Sequence, residues 1–200
     1  SGTGKSYSAQ YNTDAGFSII SYEGNGTAGH EIPHHLSAAL EFWIVKRRPD
    51  NHAWIVGHSG VASDYETDCL ILNGVNGASD SDDYWDDTKP TSSVFTCGGT
   101  NDVNGNTDNY IAYCFHSVEG YSKCGKYLGN DTYSPYSGGK EPSVYLGFRP
   151  AFIMIKRSDG SGNWIIWDSA RNDRNLNPPY LVADTNAAET AANQGGTNGE

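Results

Sequence analysis

Three imidazoles fall within six residues, at His30, His34 and His35 around Pro33, a density that raises the question of a metal. No cysteine or further histidine stands at ligand spacing, and a proline-broken turn aims the rings apart, so a solvated turn is the expectation. The run Asp80-Ser81-Asp82-Asp83-Tyr84-Trp85-Asp86-Asp87 offers hard carboxylate oxygens of the kind calcium takes, with Asp80, Asp82 and Asp83 as candidate ligands. It lacks the glycine and distal glutamate of an EF-hand loop. An acidic turn is therefore the first reading, calcium the alternative, and no other cofactor is expected.

Gly2-Thr3-Gly4-Lys5-Ser6 has the look of the end of a phosphate-binding loop, but the earlier glycine, the preceding strand and the following helix are missing. Asp168 and Ser169 together with His58 suggest a triad. His58 and Ser59 hold the matching places in the other half of an internal repeat, however, so both pairs read as strand-end positions. No acidic residue sits inside an apolar run, where burial would raise a carboxyl pKa for general-acid work on a glycoside. No catalytic residue is assigned, and the chain is read as not an enzyme.

Cys69, Cys97, Cys114 and Cys124 match no zinc-site spacing; one or two disulfides fit an oxidising exterior, with three full pairings open. Asn25-Gly26-Thr27 and Asn130-Asp131-Thr132 are acceptor sequons at equivalent places, which makes Asn25 and Asn130 the glycosylation candidates. Exposed tryptophans stack on sugar rings, and Trp85 and Trp167 are the candidates for glycan binding. Trp164 alternates with isoleucine and reads as core.

These residues must be carried by strands. Gly, Ser, Thr, Asn and Asp are abundant, Met is nearly absent, and Tyr and Trp supply most of the large apolar surface, a composition of short strands joined by many turns. A formal net charge of -11 argues against nucleic acid and against an anionic membrane surface. No stretch approaches the length of a membrane span and no signal peptide is visible, so export by another route, release by lysis, or trimming is expected.

An internal repeat organises the chain. Gly16-Phe17-Ser18 and Tyr22-Glu23-Gly24-Asn25 return as Gly120-Tyr121-Ser122 and Tyr127-Leu128-Gly129-Asn130, at an offset of 104 to 105. Phe42 to Arg47 returns as Phe152 to Arg157, and Trp54-Ile55-Val56 as Trp164-Ile165-Ile166, at an offset of 110. Leu70-Ile71 returns as Leu181-Val182 at 111. Each copy reads as hairpins separated by turns, and a further hairpin is expected from Ser92–Thr96 and Tyr110–His116. The expected fold is all-β: two tandem related β-sandwich or jelly-roll-like modules, the second incomplete. The divisions are an extended N-terminal segment at 1–12, a first sandwich at 13–116, and a second at 117–200 that is truncated or completed by a partner. Residues 1–12 are a candidate donor strand.

Three separated segments carry a family resemblance: Asp86 to Phe95, Tyr110 to Lys123, and Gly147 to Arg157. In order and content they resemble a poorly characterised repeat domain of structural, tail- or fibre-type proteins of aquatic tailed bacteriophages. The resemblance implies a non-enzymatic structural component of a virion or extracellular filament, placed on the virion surface or outside the cell and able to adhere. A carbohydrate-binding lectin-like module is the alternative and a polysaccharide hydrolase the third reading. It implies as partners copies of the chain itself or other virion or filament subunits, with host surface glycans as further ligands, and neither nucleic acid nor membrane insertion. Cys97 and Cys124 stand where that family carries Leu and Phe, which points to a local Cys97–Cys124 bridge.

Overall fold

The structure is a computed structural model and describes residues 5–129, 142–171 and 179–189. Its elements in chain order are β1 (Tyr7–Asn12), β2 (Phe17–Glu23), β3 (His30–Pro33), β4 (Phe42–Arg47), β5 (Trp54–His58), β6 (Asp68–Ile71) and β7 (Ser79–Asp80). There follow α1 (Asp82–Trp85), β8 (Val94–Cys97), α2 (Asn101–Asn104), β9 (Asn109–Phe115), β10 (Phe152–Ile155), β11 (Ile165–Asp168) and β12 (Leu181–Val182). The fold is all-β, and among the described residues helix is confined to two single turns. Among the described residues no helix is long and apolar enough to cross a membrane.

Seven strands form one antiparallel sheet in the order β1-β2-β9-β4-β5-β6-β7. Strand side chains alternate between faces, and here both faces are apolar. Ile20, Tyr22, Trp43, Val45, Ile55, Cys69, Tyr110, Ala112 and Cys114 point to the main core. The ribbon β3-β8, the short helices and the Leu36–Leu40 loop close over them, with Ile32, Phe95, Trp85 and Val103 filling the gap. This is a sandwich-like pair of layers. The segment 7–12 is extended as expected, but it pairs within its own chain along the whole of β2, from Tyr7 opposite Tyr22 to Asn12 opposite Phe17.

The expected hairpin of Ser92–Thr96 with Tyr110–His116 does not form. β8 pairs with β3 in one layer, His30 opposite Cys97, while β9 lies between β2 and β4 in the other. The connection crosses the core edge through α2, whose first turn is capped by the Thr100 hydroxyl on the Asp102 amide.

The opposite face of the seven-stranded sheet is covered at its β5–β6 end by the three-stranded sheet β10-β11-β12. Trp164, 3% exposed, sits among Ile44, Val56 and Leu70, and its indole N–H donates to the Ile71 carbonyl at 2.8 Å. Backbone bonds from Gly162 to Val75 and from Ala78 to Ser158 close the contact. Residues 117–200 thus hold no second sandwich among the described residues. Their three strands back onto the first one.

The β4–β5 and β10–β11 hairpins nonetheless share a register. Phe42 opposite His58 and Val45 opposite Ile55 correspond to Phe152 opposite Asp168 and Ile155 opposite Ile165. The Leu72 amide donates to the Trp54 carbonyl at 3.0 Å, as the Ala183 amide does to Trp164 at 3.0 Å. Asn73 receives the Trp54 amide as Asp184 receives that of Trp164. One pair exchanges sizes: Trp43 lies opposite Gly57, whereas Ile153 lies opposite Trp167. A Cβ on Gly57 would come within 2.1 Å of the Trp43 indole, so the ring fills the space that glycine leaves. β2, the first strand of the proposed repeat, has no counterpart among the described residues. Residues 123–129 form no strand, and only an isolated bridge, Val118 with Ser122, precedes them.

Candidate functional site

The glycan candidates separate. Trp85 ends α1 and is 1% exposed, packed edge-on against Trp43 at 5.1 Å, with its N–H donated to the Asp68 carbonyl. It belongs to the core and cannot meet a sugar. Trp167 is half-buried on β11, on the opposite side of its sheet from Met154 and Trp164, with Tyr180 tilted against it at 6.1 Å. Beside it, Ile153 is 37% exposed, so this outer sheet face is apolar and wet.

The candidate calcium ligands do not converge. Asp80 is on β7 opposite Asp68, while Asp82 and Asp83 occupy the first turn of α1, where the Ser81 hydroxyl caps the Asp83 amide. Among the described residues no three His, Cys, Asp or Glu side chains form a ligand group. The carboxylates do feel one another. Burial, with the Asp64 and Asp80 charges, raises the pKa of Asp68.

The three clustered histidines also part. His30 Nδ1 donates to Asn104 Oδ1 at 2.9 Å, which fixes its tautomer. His34, fully buried, accepts the Leu36 amide on Nδ1 and donates from Nε2 to the Thr91 carbonyl; burial holds its pKa below the usual histidine value. His35 has φ 59° and stacks at 5.0 Å on Tyr11.

Sequence reading missed an Arg-His-Asp relay. His52 Nδ1 donates to Asp102 on α2, an arrangement that orients a general base. The nitrogen that would do the work, Nε2, instead accepts an N–H from Arg47 at 2.6 Å, and Arg47 also pairs with Asp108 at 3.0 Å. The group ties the β4–β5 turn to α2 and β9. The triad candidates resolve similarly: Asp168 caps the Ala170 and Arg171 amides and pairs with Arg171 at 2.6 Å, which lowers its pKa. Lys5 pairs with Glu23 at 2.9 Å, where a phosphate-binding lysine would be free.

A shallow cleft of about 390 Å³ lies at the far end of β9, lined by Glu41, Ser59, Tyr65 and His116. Glu41 accepts the Ser117 amide, and His116 donates from Nδ1 to the Ser117 carbonyl while its buried Nε2 has no partner among the described residues. His58 stands nearby, its pKa lowered by burial against the pull of the Glu41 charge.

All four cysteines are free thiols, and the Cys97–Cys124 bridge is not formed. Cys97 lies on β8 inside the core, its sulfur 3.6 Å from the Tyr22 hydroxyl. Cys124 lies past the opposite end of β9, its amide donated to the Ser117 hydroxyl. Burial pushes Cys69, Cys97 and Cys124 up to about 12. Asn25 is partly buried, its side-chain oxygen taking the Thr27 amide and the Asn104 amide group. Asn130 lies outside the described residues.

Most of these groups turn their polar atoms to holding turns and strands together on an all-β, sandwich-like scaffold, with His116 Nε2 the exception. The chain belongs to the family described as a domain of unknown function, DUF7483, which matches residues 2–198. Neither the curated proteins nor the solved structures give a match.

Proposed function

We propose that the chain is a non-enzymatic structural component of a virion or extracellular filament, of tail or fibre type, that works by packing against copies of itself or other subunits. The observation that carries this reading is the number of large apolar side chains left in water. Leu128 is 90% exposed, Tyr145 91%, Tyr121 64% and Phe152 58%, and Ile153 and Trp167 add a partly exposed outer face on β10–β11. Exposed large apolar side chains in such number favour contact with protein or membrane, and a charge of -11 disfavours an anionic membrane. The resemblance to phage structural proteins supplies the setting, the virion surface or the extracellular space.

The test is composition of purified particles together with a Leu128→Ser, Tyr145→Ser variant. Stoichiometric presence that falls at least about tenfold in the variant supports the reading, since exposed-to-solvent changes of this kind leave folding within about 0.5 kcal/mol. Absence from particles overturns it. Carbohydrate binding is the second reading, favoured by the Trp167–Tyr180 pair. A glycan array on which binding disappears with Trp167→Ala supports the lectin. Turnover of a polysaccharide defeats both.

A further inference from the structure

We propose that the free edge of β1 is a self-complementary dimer contact, pairing antiparallel with β1 of a second copy about a two-fold axis through Ala9. β1 is the outermost strand of the seven-stranded sheet. The Glu23 amide donates to the Ser6 carbonyl at 2.9 Å, so Ser6, Ser8, Gln10 and Asn12 turn their backbone groups toward β2. Tyr7, Ala9 and Tyr11 therefore aim theirs outward, and no described bond reaches those groups. Edge strands of folded proteins are ordinarily blunted by charge, proline or a bulge. Tyr7-Ser8-Ala9-Gln10-Tyr11-Asn12 has none of these: its register with β2 is unbroken and it carries no charged side chain in a chain of net charge -11.

The sequence selects the occupant. Tyr7-Ser8-Ala9-Gln10-Tyr11 reads nearly alike in both directions, so the two-fold sets Ala9 against Ala9, Tyr7 against Tyr11 and Ser8 against Gln10 of the second copy. The outward residues then exchange about six backbone hydrogen bonds. Tyr7 and Tyr11, 41% and 57% exposed, meet as cross-strand aromatic pairs on one face. Their rings are already held, Tyr7 by its hydroxyl on the Pro33 carbonyl at 2.7 Å and both by His35 between them, so little side-chain freedom is lost on pairing.

This contact rests on the assembly role proposed above, yet the two fail separately: a chain that stays monomeric but is recovered stoichiometrically in particles loses the β1 contact and keeps the role. The experiment is sedimentation equilibrium of the chain from about 1 to about 100 µM, the range of weak standard interfaces. The wild type is expected to shift from monomer to dimer. Ser8→Lys, Gln10→Lys and, separately, Ser8→Glu, Gln10→Glu place like charges across both pairs, and each variant is expected to weaken dimerisation about tenfold or more. Both positions are exposed, so the fold is kept, as circular dichroism checks. Mixing the two variants restores the dimer, because each lysine then faces a glutamate. A monomeric wild type, dimerisation undiminished in either variant, or a mixture that stays monomeric overturns the contact.

Discussion

The side-chain amide of Asn104 holds three loops together, and its loss has a definite cost. Its oxygen accepts the Asn25 amide and the His30 ring N–H, and its nitrogen donates to the Thr27 and Gly98 carbonyls and to Asn25 Oδ1, all with the residue wholly buried. Asn104→Ala leaves these partners unsatisfied and is expected to cost about 2–4 kcal/mol in urea denaturation. Asn104→Asp keeps the shape but faces two carbonyls with an acceptor, so it should fare no better. Nothing in the sequence announced this hub, since Asn104-Gly105 reads only as a turn. Titration can be forecast as well. Burial lowers the folded pKa of His34 and His58, so the fold binds fewer protons than the unfolded chain. Their contribution is complete above the unfolded value near 6.5 and is lost as pH falls through the lower folded values. The slope is at most about 1.4 kcal/mol per pH unit for each imidazole. Urea midpoints should therefore drop below pH 6.5, and a His34→Gln, His58→Gln variant should show a flatter profile. The thiols give a third check: with pKa values near 12 for Cys69, Cys97 and Cys124, a thiol reagent at pH 8 should label none of them in the native chain. In denaturant it should count four thiols, where a bridge would leave two.

At the scale of elements, Trp164 is the anchor of the three-stranded sheet. Trp164→Ala removes a buried ring and its bond to Ile71, and is expected to cost about 3–5 kcal/mol and to release β10–β12 first, seen as faster hydrogen exchange there than in β2 and β9. The β4–β5 and β10–β11 hairpins were legible because β-branched and aromatic runs flank short turns of Arg-Pro-Asp-Asn and Ser-Asp-Gly-Ser type. Trp164 was legible as core through its alternation with isoleucine. The β8–β9 hairpin was misread for a physical reason. Turn residues mark where a strand stops, but not whether the next strand returns to the same sheet or crosses to the facing one. Trp85 was misread because its neighbours are acidic, and only the single turn of α1 swings it inward onto Trp43.

Across the whole molecule the charge is uneven in a way salt should reveal. Asp87, exposed, has its pKa raised by partial loss of solvent around its carboxyl and by the Asp82, Asp80, Asp86 and Glu66 charges, and Asp68 is raised by burial beside Asp64 and Asp80. This acidic rim repels itself in the folded chain. Sodium chloride near 0.5 M should screen it and raise the urea midpoint, although the ion pairs of Lys5 and Arg47 weaken under the same conditions. A midpoint that falls with salt would show those pairs to matter more than the rim.

The exchange between Trp43 opposite Gly57 and Ile153 opposite Trp167 bears on inheritance. Tandem duplications are prone to unequal crossover and gene conversion, which swap stretches between copies. A crossover in either hairpin turn would join the Trp43 strand to the Trp167 strand, setting two indoles against each other where one gap exists. The reciprocal product would join Ile153 to Gly57 and leave a void at the same place. Overpacking and cavities each cost about 1–3 kcal/mol or more, a large share of the stability of a domain of this size. Two hairpins of matching register whose large rings stand on opposite strands are thus not interchangeable, whatever their origin.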